Sequence, residues 1–252
     1  MSSLAPLVTL SIVSHGQGSL IAPLLQDLLQ LEVTQFEVVL TLNIPEDEGF
    51  FADVNGLRMK VVRNRGVKGF GANHNAAFDV SEGEIFVIVN PDIRAQSFDL
   101  PRLIDTFELP RAGACGPSIV SATGASEDSP RRFPTIARLA HRSLSGTHEP
   151  DYATDRGAIA VDWVAGMFVA FRREAFVEIG GFDERYFMYM EDVDICRRLR
   201  AAGWQVYFQP GTEVVHEAQR QSRRRLRHIV WHLRSLFRYL LLHPVTGPWR
   251  RP

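Results

Sequence analysis

Short, almost wholly apolar runs alternate along this chain with longer stretches in which apolar residues recur every three or four positions. Leu7-Val8-Thr9-Leu10-Ser11-Ile12-Val13 has the composition of a strand buried on both faces. It runs into the polar loop Ser14-His15-Gly16-Gln17-Gly18. Ser19 can cap a helix whose face is Leu20, Leu24, Leu25, Leu28, Leu29 and Leu31. Phe36 to Leu42 repeats the strand pattern and ends in Asn43-Ile44-Pro45-Glu46-Asp47, and Arg58 to Val62 is a third strand. Ile85 to Val89 holds no polar residue, as a central strand would, and Asn90-Pro91-Asp92 stops it because proline cannot continue one. This order predicts a mostly parallel sheet flanked by helices, with its binding crevice at the carboxyl ends of the strands.

Further on, the pattern predicts a helix over Leu100 to Leu109, a strand over Gly113 to Val120, and a short helix from Arg173 to Ile179 closed by Gly180-Gly181. Trp204 to Phe208 and Thr212 to Val215 are expected as two short strands, the second ending at His216. Residues 121–150 are rich in Ser, Thr, Gly, Pro, Arg and His. They are expected to form a mobile loop or lid, with a short helix near Ile136 to Arg142. From Arg220 on, apolar residues at helical spacing alternate with arginines, which predicts a basic amphipathic helix. It either packs on the domain or lies on a membrane surface, and both readings stand. The expected organisation is one α/β domain over 1–219 and this helix with its tail over 220–252.

Composition narrows the function. With 252 residues, 45% of them hydrophobic, the chain can bury one sizeable core. A formal charge of -1 gives no reason to expect a nucleic-acid partner, although the nine arginines from Arg220 onward face no acid in the same stretch. Cys115 and Cys196 have no metal-type spacing and suit a reducing compartment, so a cytoplasmic protein is expected. The first apolar run lacks preceding basic residues and reads as a strand, not a signal peptide. No apolar run is long enough to span a bilayer.

Three places can carry chemistry. Arg63-Asn64-Arg65-Gly66-Val67-Lys68-Gly69-Phe70-Gly71 precedes a helix and offers backbone N–H groups to a phosphate or sugar; a plain turn explains it equally well. Asp92 stands at the end of a central strand, as a phosphate- or metal-site ligand or as a turn cap. Glu191 and Asp192 open a helix after the run Phe187-Met188-Tyr189-Met190. There they either complement the helix dipole or act as acids or bases.

In order along the chain come Ser11-Ile12-Val13-Ser14, Gly69-Phe70-Gly71-Ala72-Asn73-His74-Asn75, Asn90-Pro91-Asp92, Gly180-Gly181-Phe182-Asp183-Glu184, Met190-Glu191-Asp192-Val193-Asp194 and Val215-His216. From Leu7 to about Leu242 the chain resembles the family 2 glycosyltransferases with a GT-A fold, in particular the rhamnosyltransferase-like branch of bacterial polysaccharide synthesis. The resemblance implies a nucleotide diphospho-sugar donor. Asn90-Pro91-Asp92 stands where the family keeps an Asp-X-Asp motif, so Asp92 would hold Mg2+ or Mn2+ on the diphosphate, while Asn90 would contribute hydrogen bonds. Asp192 stands at the place of the general base, with Glu191 ranked second. Ser14, Asn43, Glu46, Asn64, Lys68 and Gly71 would border the nucleotide and sugar, and Trp163 and Gly166 the acceptor. His216 resembles a late histidine that reaches metal or diphosphate, without the glycine that usually follows.

The resemblance implies inverting transfer of rhamnose from dTDP-rhamnose to a cell-surface or lipid-linked glycan, and the basic tail is consistent with work at the inner face of an anionic membrane. Galactofuranose, glucose and N-acetylhexosamine remain open as the sugar. Two further readings stand beside it: a sugar-nucleotide-binding subunit with little turnover, motivated by the lost first acid, and a glycoside hydrolase using Asp92 and Asp192.

Overall fold

The computed structural model describes residues 6–31, 35–52, 54–127, 129–138, 150–152, 157–217 and 226–243. Its centre is a mixed sheet whose strands run in the order β3-β2-β1-β4-β11-β6-β12-β5. Strands β1 (Val8–Ser14), β2 (Phe36–Leu42), β3 (Met59–Arg63) and β4 (Ile85–Val89) are parallel neighbours. β11 (Phe168–Arg172) runs antiparallel between β4 and β6 (Ala112–Ser121), and β12 (Gln205–His216) lies parallel to β6. β5 (Ile93–Arg94) pairs antiparallel with the end of β12.

Alternation explains the wholly apolar strands. Val87 and Val89 point into one core with Leu10, Ile12 and the α1 (Gly18–Leu29) residues Leu24, Leu25 and Leu28. Phe86 and Ile88 point into a second core with Phe171, Phe176, Val193, Ile195 and Leu199. The second core is supplied by α3 (Phe70–Asp79), α5 (Arg173–Glu178), α6 (Glu191–Ala201) and α7 (Leu226–Leu242). Each such fully buried side chain contributes about 1.5–3 kcal/mol. Because β1 sends the chain to β2 on one side while β4 flanks it on the other, the crevice between their carboxyl ends is a topological switch point.

The remaining elements are α2 (Gly49–Ala52), α4 (Leu100–Asp105), β7 (Ser126–Glu127), β8 (Pro130–Arg131), β9 (Ile159–Val161) and β10 (Trp163–Val164). Two expectations change. The loop expected over 121–150 contains two strands, β7 on β6 and β8 on β10. Residues 136–138 are helical there, and most of the short helix expected to Arg142 lies outside the described residues. The two strands expected after Gly203 are one, since Pro210-Gly211 shifts the register of β12 against β6 without ending it. The C-terminal helix packs on the domain, one of the two readings of its amphipathic pattern: Tyr239 is fully buried in the second core, and Leu236 and Leu240 pack against it.

Candidate active site

The carboxyl ends of β1, β2 and β4 and the loop after β3 meet in one polar region. Asn43 follows β2 and is buried. Its Oδ1 accepts from the Lys68 backbone N–H (2.9 Å) and from Asn64 Nδ2 (2.9 Å), and its Nδ2 donates to the Lys68 carbonyl (3.0 Å). Asn73, also buried, accepts from Asn64 (2.6 Å) and donates to the Gly69 carbonyl (2.9 Å). These amides pin the glycine-rich loop and leave the Lys68 side chain exposed. Asn43 and Asn64, expected at the nucleotide, therefore brace the loop. Ser14 is fully buried and accepts the Gln17 N–H, which shapes the turn into α1. Glu46 accepts the Gly16 N–H (3.2 Å), and a cavity of about 450 Å³ opens beside it, lined by Gly16, Gly18, Ser19, Asp47 and Phe50 among others.

Two motifs of the resemblance clamp each other. Asn75 donates to the Phe182 carbonyl (3.0 Å) and accepts its N–H (2.9 Å). A Cβ on Gly71 would lie 2.6 Å from the Phe182 Cβ, so close packing accounts for that glycine. His74 meets Ser11 Oγ at 2.8 Å, and burial pushes its pKa down to about 3, so the ring is neutral and structural.

Asp92 follows the turn that ends β4, and the pairing of Ile93 with His216 brings it to the end of β12. Asp92 Oδ2 lies 3.3 Å from His216 Nε2, and His216 Nδ1 lies 2.8 Å from Glu127 Oε2. Burial by itself would lower the histidine's pKa; the two carboxylates outweigh it and raise it. Glu127 escaped the sequence reading, as an acid in a Ser- and Gly-rich stretch whose two-residue strand has no legible period. Asp92 Oδ1 is buried and has no hydrogen-bond partner among the described residues. An unclaimed carboxylate oxygen suits a hard divalent cation, for which one or two protein ligands suffice when substrate phosphates complete the shell. Among the described residues no three His, Cys, Asp or Glu are grouped to hold an ion unaided.

Glu191 and Asp192 start α6 behind a turn in which Tyr189 and Met190 both take left-handed backbone angles, φ 72° and 68°. Such residues cost about 1–3 kcal/mol each and need outside support. Asp192 is half-buried; its Oδ2 accepts the Gly166 N–H (3.1 Å) and its Oδ1 the Val193 N–H (2.9 Å). A Cβ on Gly166 would lie 3.2 Å from the Asp192 Cβ. The next residue, Met167, accepts the Asn90 N–H at 2.9 Å. The two halves of the site thus meet at the turn 165–167: Asp192 on one side, the end of β4 with Asn90 and Asp92 on the other. Burial raises the pKa of both Glu191 and Asp192, and the charge of Asp192 adds to the rise at Glu191. Glu191 is more deeply buried, with an oxygen that has no partner among the described residues. Trp163, expected at the acceptor, is mostly core: its indole N–H donates to the Arg132 carbonyl (3.1 Å).

A sequence profile described as "Glycosyltransferase like family 2" matches residues 5–231. The chain belongs to glycosyltransferase family 2. Over 177 residues this family 2 chain is 36% identical to an N-acetylglucosaminyl-diphospho-decaprenol L-rhamnosyltransferase of Mycobacterium tuberculosis, a match covering 66% of the chain but only 57% of the relative. Over 251 residues it is 28% identical to the rhamnosyltransferase WbbL of Escherichia coli, covering 93% and 92%. Among solved structures, a mannosyltransferase from Pyrobaculum calidifontis in complex with GDP-Man and Mn2+ aligns with a TM-score of 0.65 at 20% identity, over 98% of this chain and 67% of that one. GalNAc-T7 with UDP, GalNAc and Mn2+ aligns with the same TM-score at 16% identity, over 84% and 43%. These likenesses show that the family 2 chain has the GT-A fold expected from its motifs.

Proposed function

We propose that this family 2 chain transfers rhamnose from dTDP-rhamnose, with inversion, to a hydroxyl of a lipid-linked or cell-surface glycan. Similarity to two enzymes named as rhamnosyltransferases supports the sugar, and the diphospho-decaprenol in the name of one supports the acceptor class. The observation that carries the reaction type is the Asp192 carboxylate. It is half-buried, with a raised pKa, and tied by Gly166 to the edge where Asp92 leaves one oxygen unclaimed.

In the transfer, the acceptor oxygen bonds to the anomeric carbon from the face opposite the diphosphate. The carbon–oxygen bond to the diphosphate breaks, and the hydroxyl proton passes to Asp192. A carboxylate with a raised pKa is a stronger base than an ordinary aspartate. Burial and the neighbouring Asp192 charge favour the protonated form of Glu191, which limits the local negative charge. Asp92, with His216 beside it, would hold Mg2+ or Mn2+, which when bound offsets charge on the departing nucleotide. Glu127 fixes the His216 ring. The nucleotide would occupy the cavity beside Glu46 and Gly16, with Lys68 toward the diphosphate.

The test mixes the protein with Mn2+, a panel of nucleotide sugars and a prenyl-diphosphate glycan, and follows melting temperature and nucleotide release. The expected result is stabilisation by dTDP-rhamnose and release of dTDP on adding acceptor. Asp92→Ala should weaken Mn2+-dependent donor binding by at least about tenfold. Turnover with a different sugar alone would overturn the donor assignment. Binding without release would favour a donor-binding subunit, the reading that Asn90 in place of the family's first acid supports.

A further inference from the structure

Helix α7 has two contrasting faces. Its inner face holds the strained turn ahead of Asp192: Ser235 Oγ donates to the Met188 carbonyl (2.8 Å), His228 Nδ1 meets the Tyr189 hydroxyl (2.9 Å), and Trp231 packs on Phe187 with ring centroids 4.8 Å apart. Its outer face presents Ile229, Val230, Leu233, Phe237 and Leu241, each 49–66% exposed, as one apolar stripe. At 3.6 residues per turn, Arg227, Arg234 and Arg238 fall along one flank of that stripe.

On this basic flank lies a cavity of about 310 Å³, lined by Arg185, Phe187, Trp231, Arg234, Ser235 and Arg238. One carboxylate contacts two of these arginines: Asp183 bonds Arg185 at 2.7 Å and stands 4.0 Å from Arg238 Nε. That Nε is buried without a hydrogen-bond partner, and Arg234 has no carboxylate partner, among the described residues. Three guanidinium groups against one carboxylate leave an excess of positive charge beside the packed Phe187 and Trp231 rings. Guanidinium donors in this setting match the oxygens of a phosphate.

We propose that α7 lies in the surface of an anionic phospholipid bilayer, its stripe in the acyl boundary and its arginine cavity around a lipid headgroup phosphate. Charge and shape favour that occupant. A soluble phosphate would use the cavity but not the stripe, whereas an anionic bilayer uses both. No acid follows Glu217 in the sequence, so nothing on this stretch repels an anionic surface. Seventeen residues of helix, about 25 Å long at 1.5 Å per residue, lie flat there. Because the same helix braces the turn before Asp192, the bilayer would sit beside the acceptor side of the crevice. That last consequence rests on the role proposed for Asp192; the lipid contact does not.

The test is co-sedimentation of the full chain with phosphatidylcholine vesicles, with and without phosphatidylglycerol. The wild type should sediment with the anionic vesicles only, and less as salt rises. Arg234→Glu, and separately Leu233→Ser with Phe237→Ser, should each lower the bound fraction by at least about tenfold. These side chains are exposed, so the variants should melt as the wild type does. Equal binding of variants and wild type would overturn the proposal. So would stabilisation by inorganic phosphate, abolished by Arg234→Glu, with no vesicle binding, which would mark a soluble-phosphate site. A concentration-dependent dimer dispersed by the stripe variant, again with no vesicle binding, would make the stripe a subunit interface and would also overturn it.

Discussion

Glu191 and Asp192 are adjacent, but the first turn of α6 sends them to different surroundings. Asp192 accepts two backbone N–H groups and keeps partial solvent contact; Glu191 is buried with an oxygen that lacks a partner among the described residues. A carboxyl whose pKa is raised in the fold holds its proton more tightly when folded. Its contribution to stability is complete below the ordinary value of 4.5 and declines as pH rises from there through the raised pKa. Glu191→Gln removes that decline. The variant should melt above the wild type at neutral pH, with the gap closing below pH 4.5, as thermal scans across pH would record. A variant less stable than wild type at neutral pH would mean that Glu191 is ionised in the fold. The sequence alone could rank these two acids but not separate them, because the separation comes from burial on one turn of helix. Glu127 was beyond its reach for a similar reason: only pairing of β7 with β6 brings that acid to His216.

At the scale of elements, the strands β1, β2 and β4 and their polar ends were legible because strands buried on both faces must be apolar throughout. The positions of β7 and β8 were not, since two-residue strands carry no period. The break read into β12 came from Pro210-Gly211, which tertiary pairing absorbs as a bulge. Nor does any glycine mark the left-handed turn at Tyr189 and Met190, where α7 supplies the support that residue type does not. Gly166, which the resemblance places at the acceptor, proves to lie against Asp192. Gly166→Ala should push the Asp192 side chain by a few tenths of an ångström and weaken its hydrogen bond to residue 166. We expect kcat to fall about tenfold or more with the donor dissociation constant unchanged, read from initial rates and donor titration. An unaltered kcat would show that this contact does not set the position of Asp192.

For the molecule as a whole, the sheet order joins two stretches that are far apart in sequence. The switch point between β1 and β4 gathers the polar loops that hold Ser14, Asn43 and Lys68, β5 and β12 add Asp92 and His216, and the turn into β11 carries the link to Asp192. Two motifs recognisable in sequence, one carrying Gly71 and Asn75 and the other Phe182, turn out to be the clamp that holds the halves together. Charge is divided on the same scale: a near-neutral chain ends in an arginine-rich helix whose inner face is part of the core. The central claim is that Asp92 serves the donor and Asp192 the proton transfer, as separable functions of one edge. The most direct measurement is product formation by Asp192→Asn at saturating donor and acceptor, beside a donor-binding titration of the same variant. The account predicts a rate at least about a hundredfold below wild type with donor binding intact; a variant that turns over at the wild-type rate would contradict it.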